Sequence, residues 1–446
     1  MAGKTKTYSF INIFILAVLF FPAFMAYMKY SGRDKTSGED NLDYNKPTLT
    51  GLVISNTVPK FSIKDWLSGE YQKTSDDYNN DRWAFKETMV RWNNQMYYNW
   101  FNQIRVNGFV SGKQGYVFSE SYIFSAFGDD LMEEEKVTSL LQKAKVVQDT
   151  LKAKGIDLLL VYAPGKGEYC KEFVEDKYVH PIKKTNHDLF AGISKELGLN
   201  VLDIYNLFNE LKPFTPYPLF PKFGHHWSYF GECLAVDTII KHIERLHHCR
   251  MPHVVWNKID VSDTARSRDG DVVQSMNLLS LPEQNQKLAY PEIQFEANDS
   301  LNKTRVLTIS DSYWYGPVYM GVPQNCFAGG QFWYYANKVI PPPNPNEKTE
   351  VWQMDLKKEI ESNAVIMILY SDGNLPKFGS GFIQEAYELY TSPKTFYERT
   401  NRLKQLNAAI KEVRESPALL KIATQKSNEL SISLDSAIKV QATGMR

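Results

Sequence analysis

The feature that most constrains the fold is a set of short, unbroken apolar runs separated by segments of helical periodicity. Residues 156–163 are apolar apart from Asp157, 305–309 apart from Arg305 and Thr308, and 364–370 throughout. A strand with one wet face alternates polar and apolar side chains, so runs without alternation indicate strands covered on both faces. Between the runs the apolar spacing changes to three and four. Over 133–154, Val137, Leu140, Leu141, Ala144, Val147 and Leu151 share one helical face, and Gly155 follows as a stop. Helices are also predicted over 186–197 and after Trp227, where Ser228 is the cap and Leu234, Ile239, Ile240 and Ile243 form the apolar face. Further strands are predicted at 200–204 and 332–335. This alternation predicts an α/β fold with a mostly parallel sheet flanked by helices.

The ends of the chain differ from this middle. Residues 7–28 carry no formal charge and are rich in Ile, Leu, Val and Phe, enough to cross a hydrocarbon core of about 30 Å as a helix. They predict an N-terminal transmembrane helix, with 1–30 as a membrane anchor or signal segment. A cleaved signal peptide is the competing reading, because Ala23 and Ala26 suit a cleavage site, although the run exceeds the usual ~7–15 residues of a signal core. Lys4 and Lys6 on one side face Lys29, Arg33 and Lys35 on the other, so charge alone does not orient the segment. The expected topology puts the N-terminus inside and the remainder outside. Residues 31–60 read as a polar tether, 61–394 as the main domain, and 395–446 as a C-terminal helical segment with helices at 395–415 and 426–441. Within the main domain, 82–101 spaces Trp83, Phe85, Met89, Trp92, Met96 and Trp100 as an amphipathic helix whose aromatic stripe belongs in the core. Residues 112–118 read as a glycine turn feeding a strand, 250–304 as a surface excursion without strong period, and 341–345 as a loop.

Composition excludes some functions. The chain has 51 basic and 51 acidic side chains and a mean hydropathy of −0.38. It lacks the basic excess of a nucleic-acid binder, so no nucleic acid is expected. Cys170, Cys233, Cys249 and Cys326 have no CxxC spacing, which argues against a zinc ribbon or a thioredoxin-type site. In an exported chain one or two disulfides are allowed, with pairing that spacing does not fix. His247, His248, Cys249 and His253 have metal-capable atoms but read as a solvated helix end followed by a loop. Neither a metal nor a cofactor is expected.

The chemistry-bearing residues fall in two short stretches. Ser310-Asp311-Ser312 ends the apolar run 306–309, at the carboxyl end of a strand, where active sites of α/β sheets collect. Gly224-His225-His226-Trp227 supplies a histidine with a bulky apolar neighbour. Together they read as nucleophile and base of a serine acyl-transfer site. Structural alternatives stand beside that reading: Ser312 as a helix cap, and His226 as a buried histidine bonded to backbone. Asp311 is expected to bond the loop that holds the serine, His225 to be a packing or rim residue, and Trp227 to wall the base into a partly dry site. Lys166, just past a strand end, is either solvated or in contact with substrate or oxyanion. Tyr313, Trp314, Tyr315, Trp333, Tyr334 and Tyr335 suit stacking on sugar rings.

The order Trp83-Ala84-Phe85-Lys86, Gly112-Lys113-x-Gly115-Tyr116-x-Phe118, Pro164-x-Lys166, His226-Trp227-Ser228-x-x-Gly231, Gly270-Asp271 and Ser310-Asp311-Ser312-Tyr313 resembles the SGNH-hydrolase-like domain of the alginate O-acetylation proteins AlgJ and AlgX. The resemblance covers roughly residues 80 to 385. In that family an Asp-x-His-Trp element supplies acid and base, and a Gly-Asp-Ser element the nucleophile. The resemblance therefore implies His226 as base and Ser312 as nucleophile, in a permuted order with histidine before serine. Two positions depart from the family pattern. Ser310 replaces the glycine, a small change, and Gly224 replaces the acid. Disabling the acid of a serine triad lowers turnover by roughly 10⁴, about 5 kcal/mol of barrier. A substitute behind His226 would be Asp311, Asp203, a backbone carbonyl or His225.

The resemblance also implies an exported, membrane-anchored O-acetyltransferase that passes an acyl group, acetyl in the family, to a cell-surface or extracellular polysaccharide through a serine acyl-enzyme. A membrane-bound O-acyltransferase would be its donor partner. It would sit as a single-pass protein in the cell inner membrane with the main domain periplasmic or extracytoplasmic. If water replaced the acceptor hydroxyl, the same site would be a carbohydrate esterase. The rival reading, favoured by Gly224, is a non-catalytic or weakly catalytic polysaccharide-binding or scaffold protein of an acylation or export system.

Overall fold

The computed structural model describes residues 49–51, 58–82, 86–297, 301–346, 348–430 and 432–444, together with Leu16 and Phe20. The apolar segment 7–28 falls almost entirely outside the described residues, as do most of the tether 31–60 and both Trp83 and Phe85. Among the described residues no helix is long and apolar enough to cross a membrane. The chain divides into two compact units.

The smaller unit comprises residues up to 117 with 222–224 and 270–285. Helices Ile63–Ser68, Glu70–Arg82 and Lys86–Phe101 precede strand β1 (Phe109–Ser111) and the first residue of β2 (Val117–Ser119). Its core is Val117, Phe223, Val272, Val273, Met276 and Leu278. The predicted glycine turn is present, with Gly115 at φ 73, a left-handed conformation that costs glycine little. The predicted helix over 82–101 is present as Lys86–Phe101, but its aromatic stripe is not core: Met89, Trp92 and Trp100 are 49%, 55% and 70% exposed. The covered face carries Asn94, whose Nδ2 donates to the Met276 carbonyl at 2.9 Å, and Tyr98, which packs on the core. Periodicity identifies a helix; it does not say which of two periodic faces is covered.

The larger unit holds β3 (Asp157–Ala163), β4 (Val201–Asp203), β5 (Val254–Ser262), β6 (Leu288–Phe295), β7 (Val306–Ser310), β8 (Phe332–Tyr334), β9 (Lys338–Ile340) and β10 (Val365–Ser371). Six form one sheet in the order β4-β3-β10-β7-β8-β9. All neighbours are parallel except the edge pair β8 and β9. The three unbroken apolar runs are the three central strands, and every residue of β3, β7 and β10 is buried. Leu158, Leu160 and Tyr162 of β3 and Ile366, Ile368 and Tyr370 of β10 join one core cluster with Val137, Leu141 and Leu151 of the helix Glu134–Lys152. Each fully buried Val, Leu or Ile contributes about 1.5–3 kcal/mol. Register aligns the carboxyl ends, with Ser371 opposite Ala163 and Leu369 opposite Ser310. That shared edge carries the candidate site.

Three expectations need correction. Residues 250–304, read as a surface excursion without strong period, contain regular structure: β5 and β6 form an antiparallel pair running from Val254 opposite Phe295 to Ser262 opposite Leu288. Its apolar residues, Val254, Val255, Trp256, Ile259 and Val261, do not alternate regularly and most β5 side chains are exposed or half-exposed, so no strand period shows in the sequence. The C-terminal segment forms three helices, Pro393–Glu415, Pro417–Leu430 and Leu434–Thr443, around Val413, Ala423, Ile438 and Ala442. The histidines after the helix Tyr229–His247 are not simply solvated: His247 Nδ1 lies 2.9 Å from Asp157 Oδ2, and His253 lies between Asp237 and Glu244 at 2.9 and 3.1 Å. All four cysteines are free thiols.

Candidate active site

At the end of β7 the chain turns through Asp311 into a 3-10 turn, Ser312–Trp314. Asp311 caps that turn, with Oδ1 accepting from the Tyr313 amide at 3.0 Å. Its Oδ2 accepts from the Ser371 amide at 3.0 Å, the Ser371 hydroxyl at 2.6 Å and Asn374 Nδ2 at 3.0 Å. The Tyr122 hydroxyl stands 2.6 Å from Ser371 Oγ. One fully buried carboxylate thus ties the end of β7 to the end of β10. Because Asp311 is the cap, the Ser312 hydroxyl is left for another partner.

That partner is His226. Ser312 Oγ lies 2.8 Å from His226 Nε2; with the hydroxyl donating to Nε2, the imidazole carries its proton on Nδ1. His226 and Trp227 enter the helix Tyr229–His247, whose cap Ser228 accepts from the Gly231 amide and donates to the Pro218 carbonyl. The start of that helix therefore fixes where the imidazole stands. His226 is 9% exposed and lies edge-on between His225 (4.8 Å) and Tyr313 (5.1 Å). Trp227 is buried, edge-on to Tyr313 at 4.8 Å. His225 also meets the Tyr122 ring edge-on at 4.7 Å. Burial pushes the Tyr313 and Tyr122 phenols well above their usual range, so both stay neutral.

Of the acids considered as a replacement for the one at Gly224, Asp311 serves the strand ends and Asp203 lies elsewhere. Asp203 caps the helix Ile204–Leu211 through the Asn206 amide, and both its oxygens are 3.1 Å from His187 Nε2. Neither carboxylate stands behind His226. Lys166 is not solvated but buried, on the short helix Lys166–Tyr169, with Nζ 5.4 Å from the centre of the Phe118 ring. The glycines beside it allow close approach, since a Cβ on Gly165 would lie 1.9 Å from Asp372 Oδ1 and one on Gly167 2.1 Å from the Tyr122 carbonyl. Burial pushes the Asp372 carboxyl well above its ordinary range.

Two residues at the site carried no sequence signal. Arg268 Nη2 donates to the Ser312 carbonyl at 3.1 Å, and Nη1 donates to Glu232 Oε1 at 3.3 Å. Glu232 is buried, and desolvation pushes its carboxyl up to about 7 against the opposing pull of Arg268. Gly316 leaves the room they need, as a Cβ there would lie 1.4 Å from Glu232 Oε1 and 2.3 Å from Arg268 Nη1. Glu232 is a first-turn acid of the helix Tyr229–His247, and Arg268 lies in the polar stretch before Gly270, positions with no distinguishing sequence pattern. Tyr315, Tyr334 and Tyr335 cluster on the same sheet edge, with ring centres 5.1 and 4.7 Å apart.

No curated protein matches the chain. Among solved structures, it is similar to the O-acetyltransferase domain of Pseudomonas putida AlgJ (15% identity, 63% of this chain and 99% of that chain, TM-score 0.42). It is also similar to Pseudomonas aeruginosa AlgX (12% identity, 63% and 66%, TM-score 0.41) and Bacillus cereus PatB1 (12% identity, 60% and 96%, TM-score 0.38). A family model described as "SGNH hydrolase-like domain, acetyltransferase AlgX" matches residues 110–304, a span that contains His226 and stops eight positions before Ser312. Over residues 110–304, then, this chain is similar to the SGNH hydrolase-like domain of the AlgX acetyltransferase family.

Proposed function

We propose that this protein is an exported, membrane-anchored O-acyltransferase that moves an acyl group, acetyl by analogy with the family, onto a polysaccharide hydroxyl through an acyl-enzyme on Ser312. The observation that carries the reading is the 2.8 Å contact between Ser312 Oγ and His226 Nε2. His226 takes the hydroxyl proton at Nε2 as Ser312 Oγ bonds to the acyl carbonyl carbon. The tetrahedral oxyanion is held by the Ser312 amide, because the neighbouring Tyr313 and Tyr315 amides already bond Asp311 and the Ser312 carbonyl. As the donor's oxygen or sulfur departs, the imidazolium returns its proton to it. A sugar hydroxyl then gives its proton to His226 and takes the acyl group, restoring Ser312; water in its place would make the protein an esterase.

Residues 7–28 would anchor the domain beside a membrane-bound O-acyltransferase that supplies the acyl group. The scaffold reading expects His226 to stand out of reach of Ser312, and the contact favours catalysis over it. The test is release of acetyl from an activated acetyl ester by the full-length protein. Ser312→Ala and His226→Ala are each expected to lower the rate by about 10³ or more; rates equal to wild type would remove the catalytic reading.

A further inference from the structure

One apolar face of the smaller unit has no cover within the protein. The helix Ile63–Ser68 is bounded at both ends: Ser62 Oγ accepts from the Asp65 amide at 3.0 Å, and Gly69 closes the helix at φ 83, a conformation that suits glycine. Ile63, Trp66 and Leu67 are spaced by three and four, so they share one side of it. A helix of a globular domain turns such a stripe inward. Here no residue of the helix is buried, and Ile63 and Leu67 are 73% and 80% exposed. Val58 and Phe61, just before the cap, are exposed as well. The Phe61, Trp66 and Tyr71 rings hold one another at centre distances of 5.3 to 6.0 Å. The following helix, Glu70–Arg82, is polar apart from its two tyrosines, so the apolar surface ends with that ring cluster.

Chemistry and chain position together indicate what covers this face. An indole among aliphatic side chains, flanked by lysines, suits a membrane–water interface: the indole sits at headgroup level, the aliphatic groups face acyl chains, and the lysines reach the phosphates. Lys60 and Lys64 are the flanking lysines, and both are exposed. Among the described residues, the exposed tryptophans Trp66, Trp92 and Trp100 all belong to the smaller unit, the part of the domain that follows the apolar segment 7–28 in the chain. Met28 and Phe61 are 33 positions apart. A segment 7–28 that crosses the bilayer would therefore hold this helix at high local concentration beside the membrane surface, where even a weak interfacial affinity is enough to seat it.

We propose that residues 58–67 form a foot that lies in the headgroup layer of the bilayer, with Trp66 at the interface and Ile63 and Leu67 turned toward the acyl chains. The proposal rests on the anchor reading of residues 7–28, but its test reads lipid contact at Trp66 and not retention of the protein. Full-length protein would be reconstituted into vesicles of phosphatidylcholine and phosphatidylglycerol, with plain acyl chains or with chains brominated near the headgroup. The difference between wild type and Trp66→Phe isolates the Trp66 emission, which should fall at least about twofold in the brominated vesicles. The double variant Ile63→Ser, Leu67→Ser should lose that quenching. Its melting temperature in detergent should equal that of wild type, because neither side chain is buried in the protein.

Equal Trp66 emission in plain and brominated vesicles, or quenching that survives in the double variant, would overturn the foot. A lowered melting temperature of the double variant would overturn it too, by showing the face packed against protein. The anchor and the foot fail separately. Protein that resists alkaline extraction while Trp66 is not quenched keeps the anchor and loses the foot. If the chain is cleaved after Ala26, the anchor fails; the foot then stands if the released protein sediments with the same vesicles and the double variant does not, and falls if neither sediments or both do.

Discussion

At the scale of single residues, Ser312 is held from two sides. Asp311 fixes the turn on the sheet side, and Arg268 grips the Ser312 carbonyl from the other. Arg268→Ala would leave Glu232 buried without its cation, a loss on the order of 2–3 kcal/mol, and would let the Ser312 backbone move. The expected outcome is a lower melting temperature together with at least about a tenfold fall in acetyl-ester turnover. Gly316→Ala should do the same by steric means, since the added Cβ would occupy the space of the pair.

The pH dependence follows from Glu232. Its folded-state value of about 7 is raised above the ordinary 4.5, so the folded protein holds that proton more tightly than the unfolded chain. The associated stability is fully present below about pH 4.5 and is lost as pH rises through about 7. Glu232→Gln stays neutral throughout. Thermal melts at about pH 5 and about pH 8 should show the variant gaining on wild type as pH rises; parallel curves would contradict this assignment.

At the scale of elements, the join between β7 and β10 is the mechanical base of the site. Asp311→Asn keeps the shape but replaces one acceptor oxygen by an N–H donor facing groups that already donate. Urea unfolding should show a loss of roughly 2–3 kcal/mol, against about 1 kcal/mol for Ser371→Ala, which removes a single hydroxyl. This scale also shows why parts of the fold were legible in sequence and parts were not. Strands β3, β7 and β10 could be read because coverage on both faces demands unbroken apolar residues. β5 could not, because its side chains are largely exposed and its apolar residues do not alternate, and the three-residue edge strand β9 is too short to show a pattern. The stretch Lys86–Phe101 was legible as a helix, but the covered face belongs to Asn94 and Tyr98.

The same physics governs the site. His226 and Ser312 were legible because each sits at an element boundary with a recognisable neighbour. The pairing of Arg268 with Glu232, 36 positions apart, arises only from folding and left no local mark. Asp203 was plausible in sequence because it ends a strand, yet that strand lies at the far edge of the sheet, beyond β3. There it meets His187 instead of His226.

At the scale of the whole molecule, the proposed membrane anchor at residues 7–28 is open to direct test. Full-length protein expressed in cells should stay with the membrane pellet after an alkaline wash and retain its own N-terminal sequence. Release to the soluble fraction with a new N-terminus shortly after Ala26 would show a cleaved signal instead. The central claim is tested most directly by incubating the full-length protein with an activated acetyl ester and mapping the adduct by peptide mass spectrometry. The account predicts an acetyl group on Ser312 that is absent in Ser312→Ala and disappears when a polysaccharide acceptor is added. Acetyl release that proceeds with no adduct at Ser312 and at an equal rate in Ser312→Ala would contradict it.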